Sequence, residues 1–140
     1  MNERFAAPKD AVLFPLMLVY GAASLLHFMH NAVYLRDYPN LPAWLTSAGV
    51  MVAWLAVTAV GVLGYLLYWR VSRVAGLMTI SAYAVLGFGG LDHYAVAPVS
   101  AHAVAMNLTI LLEAVAGAVL LVFVVRSALG LVARRTKAQG

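Results

Sequence analysis

The residues that could carry chemistry are four histidines and two carboxylates, most of them near the ends of apolar segments. They are His27, His30, His93 and His102, with Asp92 and Glu113. The stretch "HFMH" sets His27 and His30 three residues apart, which places both imidazoles on one face of a helix. Such a pair can reach a single ion. The residue types therefore indicate a metal site or a group that exchanges protons.

The predicted metal ligands are the histidines nearest the outer surface and the neighbouring acid: His30, His93, His102 and Asp92. The predicted cofactor-binding neighbours are Asn31, Tyr34 and Met106. A nitrogen-rich ligand set with some oxygen donors suits copper, zinc or non-haem iron, and a nearby Met favours copper first. Haem held by two histidines ranks lower, because only Arg36 is available on that side for its propionates.

The deepest polar residues, His27 and Glu113, are the predicted catalytic groups. Counted along its helix, Glu113 lies about 16 Å from the outer end, near the middle of a ~30 Å hydrocarbon core. A carboxylate at that depth costs at least a few kcal/mol unless it is protonated or paired, so it needs a partner such as His27. The two can bind the ion themselves or form a buried acid/base pair that relays protons, and the sequence leaves both roles open.

The elements that position these groups must be membrane helices. Hydrophobic residues make up 64% of the 140, charged residues 10%, and the mean hydropathy is +0.91. A water-soluble domain this small could not bury that much apolar surface. Four apolar segments, residues 11–34, 44–69, 74–91 and 102–125, are each close to the ~20 residues that cross a bilayer. Only helices satisfy their own backbone there, so we predict one all-α domain, a four-helix transmembrane bundle.

Three of the histidines lie on polar stripes along the first and fourth helices. On the first helix the stripe is Tyr20, Ser24, His27, His30, Asn31 and Tyr34. On the fourth helix it is His102, Met106, Thr109 and Glu113. At about 100° per residue, each set falls on one side of its helix. Ionisable groups inside a membrane turn toward the bundle, so we predict that the stripes face one another.

Composition excludes several classes of function. Cysteine is absent, which removes disulfides, thiolate metal sites and thiol redox chemistry. The basic pI of about 9.7 follows from the distribution of cations around a membrane, so it calls for no nucleic acid. The predicted location is the inner (plasma) membrane of a bacterial-type cell. The predicted partners are the lipid bilayer and either other membrane subunits or further copies of the chain.

Three functions fit these features. The first is an integral membrane metalloprotein with an outward-facing site, acting in redox chemistry on a membrane-soluble substrate or in metal handling. The second is a non-catalytic accessory subunit of a larger membrane complex, which uses its polar residues for helix contacts. The third is a metal-free carrier or proton-coupled element, which with four helices would have to oligomerise to transport a solute.

Topology can be tested directly. Of the nine Lys and Arg residues, Arg36 alone lies on the outer side, and the other eight lie with the termini and the second loop. By the positive-inside rule both termini are then cytoplasmic. A reporter fused after Gly140 should be active in the cytoplasm, and one inserted near Asn40 should be active outside. The opposite pattern would turn the predicted site toward the cytoplasm.

Overall fold

The computed structural model of the protein describes residues 8–137, and it describes the side chains of 11–134, 136 and 137. Its helices are α1 Pro8–Val33, α2 Ser47–Arg70, α3 Arg73–Leu86, α4 His93–Val96 and α5 Val104–Lys137. Among these residues are four helical spans long and apolar enough to cross a membrane: Ala11–Val33, Ser47–Arg70, Arg73–Val96 and Val104–Arg134. The predicted all-α bundle with four transmembrane helices is confirmed.

Part of the topology prediction falls outside the described residues. Arg4 precedes the first described residue, and the side chains of Lys9 and Arg135 are not described. The remaining inner-side cations, Arg70, Arg73, Arg126, Arg134 and Lys137, stand where α2, α3 and α5 begin or end, or in the last third of α5. Which side of the membrane they face stays a prediction.

The third span is not one continuous helix. It was predicted over residues 74–91, but α3 ends at Leu86, a 3-10 turn covers Gly89–Asp92, and the four-residue α4 follows. Glycine is a poor helix former, so "GFGG" at residues 87–90 ends the regular helix and continues it as a tighter turn. This break places His93 at the start of a new short helix.

The other helix ends also differ from the prediction. The last helix begins at Val104 instead of 102, because His102 has an extended backbone after a short 3-10 turn at Val99–Ala101. It continues to Lys137 instead of 125, through Leu, Ala and Arg residues that favour helix. The second helix begins three residues later than predicted, where the Thr46 hydroxyl accepts a 3.0 Å hydrogen bond from the Gly49 N–H and caps it.

The long helices form a closed ring in cross-section. α1 packs against α2 and α5, and α3 packs against the same two helices. Residues 27–38 of α1 and its loop meet residues 89–102 at one end of this ring, together with the first three turns of α5. We call this the histidine end, because all four histidines lie there.

An apolar core fills the rest of the bundle. Its buried members are Leu13, Tyr20, Tyr68, Leu77, Ile80, Tyr83, Ala84, Leu120 and Val124. Tyr20 crosses the bundle centre, where its hydroxyl donates to the Tyr83 carbonyl at 3.1 Å and the two rings lie 4.6 Å apart. A Cβ on Gly87 would lie 2.6 Å from the Tyr20 ring, so this glycine makes room for the tyrosine.

The contact between α2 and α3 depends on a second glycine. A Cβ added to Gly76 would collide with the backbone of Tyr68, which cannot rotate away as a side chain could. We therefore expect Gly76→Ala to lower the free energy of unfolding by about 1–3 kcal/mol, the usual cost of overpacking. Thermal unfolding of the detergent-purified variant and of the unsubstituted protein measures this loss of stability.

Gly89→Ala is the matched control, since a Cβ at Gly89 meets nothing within 4 Å. Its stability should equal that of the unsubstituted protein or slightly exceed it. Equal losses in the two variants would contradict the close packing at Gly76.

Candidate functional site

The centre of the histidine end is a buried contact between His27 and Glu113. His27 Nε2 lies 3.7 Å from Glu113 Oε2, and each side chain is 2% exposed. This contact exists because α1 packs directly against α5. This distance is too long for a hydrogen bond. The two side chains are still close enough to interact electrostatically.

A glycine leaves space beside this pair. A Cβ on Gly90, in the turn between α3 and α4, would lie 3.3 Å from both Glu113 Oε2 and His27 Nε2. The missing side chain therefore keeps a small space open to an acid oxygen and an imidazole nitrogen at once. A Cβ at 3.3 Å would be packed more tightly than most, so the absence of a side chain lets this turn approach both atoms closely.

Asn31 connects His27 to the third span. Its Nδ2 lies 3.1 Å from His27 Nε2 and 3.4 Å from His93 Nε2, so the amide donates toward both rings. The other nitrogen of His27, Nδ1, lies 3.5 Å from the Thr109 hydroxyl, which itself donates to the Met106 carbonyl at 3.0 Å. In this arrangement Nδ1 of His27 carries the proton, and Nε2 presents a lone pair to the centre of the site.

His102 presents a lone pair with no partner. Its Nδ1 donates to the Pro98 carbonyl at 3.0 Å, which leaves Nε2 without the proton. That Nε2 is buried and has no hydrogen-bond partner among the described residues, and the whole side chain is 6% exposed. An unpaired buried acceptor costs roughly 1–3 kcal/mol, so the position favours a ligand that accepts this lone pair.

The imidazole rings lie near one another, but somewhat farther apart than two rings that share a tetrahedral ion. The ring centres of His27 and His93 are 5.6 Å apart, and those of His93 and His102 are 6.1 Å apart. Two imidazoles on one tetrahedral ion, with metal–nitrogen bonds of about 2.0–2.1 Å, have ring centres roughly 5 Å apart, so these rings would have to move closer together to share one. The described residues accordingly contain no group of three or more His, Cys, Asp or Glu side chains placed to hold a metal ion.

Tyr38 is the contact residue that the sequence prediction missed. It is 3% exposed, its hydroxyl lies 2.8 Å from His30 Nδ1, and its ring packs against His93 at 4.8 Å with the two planes tilted by 39°. Burial raises the pKa of Tyr38 to about 12, so its phenol stays neutral at physiological pH. The only signal was an aromatic residue inside the Pro-rich loop "RDYPN", which resembles an ordinary connection.

The remaining predicted site residues lie at the margin. Asp92 is exposed, as is Tyr34, whose ring lies 4.7 Å from that of His30. His30 is half-buried and bonds to Tyr38, away from the Asn31 amide that links the other rings. Met106 is buried against Tyr38 and Ile110 in a small apolar cluster.

The structure thus brings together a different set from the one predicted as ligands. Glu113, His27, Asn31 and His93 follow one another in contact, and His102 adjoins His93. No family model, no curated protein and no solved structure matches the chain.

The His27–Glu113 contact can be tested by a double-mutant cycle. His27→Leu or Glu113→Leu alone leaves the other polar group buried without its partner, whereas the double variant removes both. We therefore expect the combined loss of unfolding free energy to fall short of the sum of the single losses by about 0.5–3 kcal/mol. Thermal unfolding of the four proteins in detergent gives this coupling.

Ser127→Ala combined with Glu113→Leu serves as the control cycle. The Ser127 hydroxyl donates to the Phe123 carbonyl of its own helix, about 21 Å along α5 from Glu113. That cycle should be additive. Additivity in the His27–Glu113 cycle as well would show that the two groups do not interact.

Proposed function

We propose that this chain is an integral membrane protein that binds a transition-metal ion at the histidine end, for redox chemistry on a membrane-soluble substrate or for metal handling. The observation that carries the proposal is the buried Nε2 of His102, which has no partner among the described residues. Metal-binding histidines almost always donate their other N–H to a carbonyl or carboxylate, as His102 Nδ1 does to Pro98.

The proposed ligands are His27, His93 and His102. Their adjacent ring centres lie 5.6 and 6.1 Å apart, so an inward movement of roughly 1 Å would let neighbouring rings share one tetrahedral ion. The Nε2 atoms of His27 and His93 both face the Asn31 amide. Rotation of Asn31 would free these two nitrogens together. Relative to the prediction from sequence, His27 takes the place of His30, and the exposed Asp92 is not a ligand.

Glu113 supplies the negative charge. It lies 3.7 Å from His27 Nε2 and would offset the charge of a cation held by neutral imidazoles. Three nitrogen ligands and one carboxylate suit copper first, then zinc or non-haem iron, because imidazole suits all three and divalent copper binds such sites most tightly. A bound copper or iron ion would exchange single electrons with a substrate in the membrane, whereas zinc would not.

Proton exchange is the second candidate, and the contacts of Glu113 favour it. From this carboxyl group, successive contacts of 3.7, 3.1 and 3.4 Å pass through His27 and Asn31 to His93. Imidazole and carboxyl groups in contact can exchange a proton. The Asn31 amide nitrogen only donates hydrogen bonds, so in this role it orients the two rings and passes no proton itself. The accessory subunit is the alternative of a different class, in which the same contacts would only join helices.

Metal content decides among these functions. We expect protein purified from cells supplied with copper, zinc or iron to hold about one ion per chain by elemental analysis. His102→Ala removes a ligand and should weaken binding tenfold or more. His30→Ala is the matched control, because His30 bonds to Tyr38 and lies outside the proposed ligand set.

Two results would count against the proposal. Wild-type protein that stays metal-free with each of the three metals would favour proton exchange or the accessory subunit. Loss of metal in His30→Ala, with metal retained in His102→Ala, would restore the ligand set predicted from the sequence.

A further inference from the structure

A groove on another face of α1 is separate from the histidine cluster. It has a volume of about 400 Å³ and lies between α1 and α2, with Tyr83 of α3 at its base. Its α1 residues, among them Phe14 and Leu25, lie roughly 140° around the helix from the stripe that includes His27. Leu18 and Leu66 on its rim are 56% and 50% exposed, so the groove opens sideways toward lipid.

Two polar groups in this apolar groove have no partner. Trp54 Nε1 and Thr58 Oγ1 are buried and make no hydrogen bond within the described part of the chain. This is unusual for Thr58, since a membrane-helix hydroxyl commonly donates to the carbonyl four residues earlier. Thr79 and Ser127 do so here, at 3.0 and 2.8 Å. Trp54 and Thr58 are themselves four residues apart, so both donors lie on one face of α2.

The depth of these donors limits what can satisfy them. Trp54 lies about 10 Å along α2 from its first residue, below the interface where membrane tryptophans are usually enriched. Phospholipid ester carbonyls lie at that interface, outside the ~30 Å hydrocarbon core. A hydrogen-bond acceptor that reaches Trp54 must therefore belong to a neutral molecule whose polar group dissolves in the core.

The walls of the groove favour a flat ring. Phe14 and Tyr65 form a tilted pair with ring centres 5.4 Å apart, and Trp54 and Tyr83 add two more aromatic side chains. Aromatic faces stack well on planar ligands. The volume also falls in the range of small-molecule sites, about 300–1,000 Å³.

We propose that this groove binds a quinone, with its ring among the aromatic side chains and a carbonyl oxygen accepting hydrogen bonds from Trp54 Nε1 and Thr58 Oγ1. The alkyl tail leaves between Leu18 and Leu66 into the bilayer. The site shares no residue with the proposed metal ligands, so either proposal can fail while the other stands.

Photolabelling tests the site. Purified protein in phosphatidylcholine nanodiscs is irradiated with an azido-substituted alkyl-benzoquinone, and the labelled residues are identified by mass spectrometry. We expect saturable labelling of residues 14–25 and 54–66 that unlabelled alkyl-benzoquinone displaces. Thr58→Val and Trp54→Phe each remove one donor and should raise the concentration for half-maximal labelling about three- to tenfold, the effect of one hydrogen bond.

Three further variants make the result specific. Thr58→Ser keeps the hydroxyl and should label like the wild type. Trp44→Phe removes a tryptophan that is 78% exposed in the first loop, and it should also leave labelling unchanged. Ala22→Leu fills the groove from α1 while keeping both donors, and it should abolish labelling. Thermal unfolding confirms that each variant is folded.

Several outcomes would overturn the proposal. One is labelling that does not saturate, as expected if lipid chains or a second copy of the protein fill the groove. Another is equal displacement by an alkylbenzene of the same tail length, which has no carbonyl. A third is unchanged labelling in folded Thr58→Val and Trp54→Phe.

Discussion

A carboxyl group near the middle of a membrane span, where Glu113 is predicted to lie, must be neutral or paired. The contacts of the histidine end depend on that requirement. Glu113 faces His27, and both are almost fully buried. The pair needs α1 and α5 in direct contact, and Gly90 without a side chain beside it. Asn31 then extends the contacts to His93. The break in the third span at residues 87–92 brings Gly90 and His93 to this point, so the irregular backbone serves the buried acid.

The sequence predicted the spans well because span length and hydropathy are properties of single segments. It predicted their ends less well, because those ends depend on contacts between segments. Hydropathy does not distinguish His102 in an extended backbone from His102 in a first helical turn. The backbone conformation of His102 depends on the 3-10 turn before it and on the hydrogen bond from its ring to the Pro98 carbonyl.

The candidate site was predictable to the extent that it follows helix faces. Tyr20, Ser24, His27 and Asn31 lie on one stripe of α1, and all four are buried. The direction in which a loop side chain points could not be predicted in the same way, because loops have no regular periodicity. Asp92 and His93 are neighbours in sequence, yet the acid is exposed while the imidazole packs against Tyr38. Tyr38 itself comes from a loop that folds back over the helix ends, and no periodic pattern indicates that.

The apolar core around Tyr20 and Tyr83 fills the half of the bundle away from the histidine end. Buried Leu, Ile, Val and aromatic side chains occupy it, and the Tyr20 hydroxyl is directed to the backbone of Tyr83. Within the described residues, Glu113 is therefore the deepest carboxyl or imidazole group of the histidine end, and the core beyond it consists of apolar and tyrosine side chains. If the proposed ion binds beside Glu113, it would exchange with the compartment at that end of the bundle, and its occupancy would follow the composition of that compartment alone.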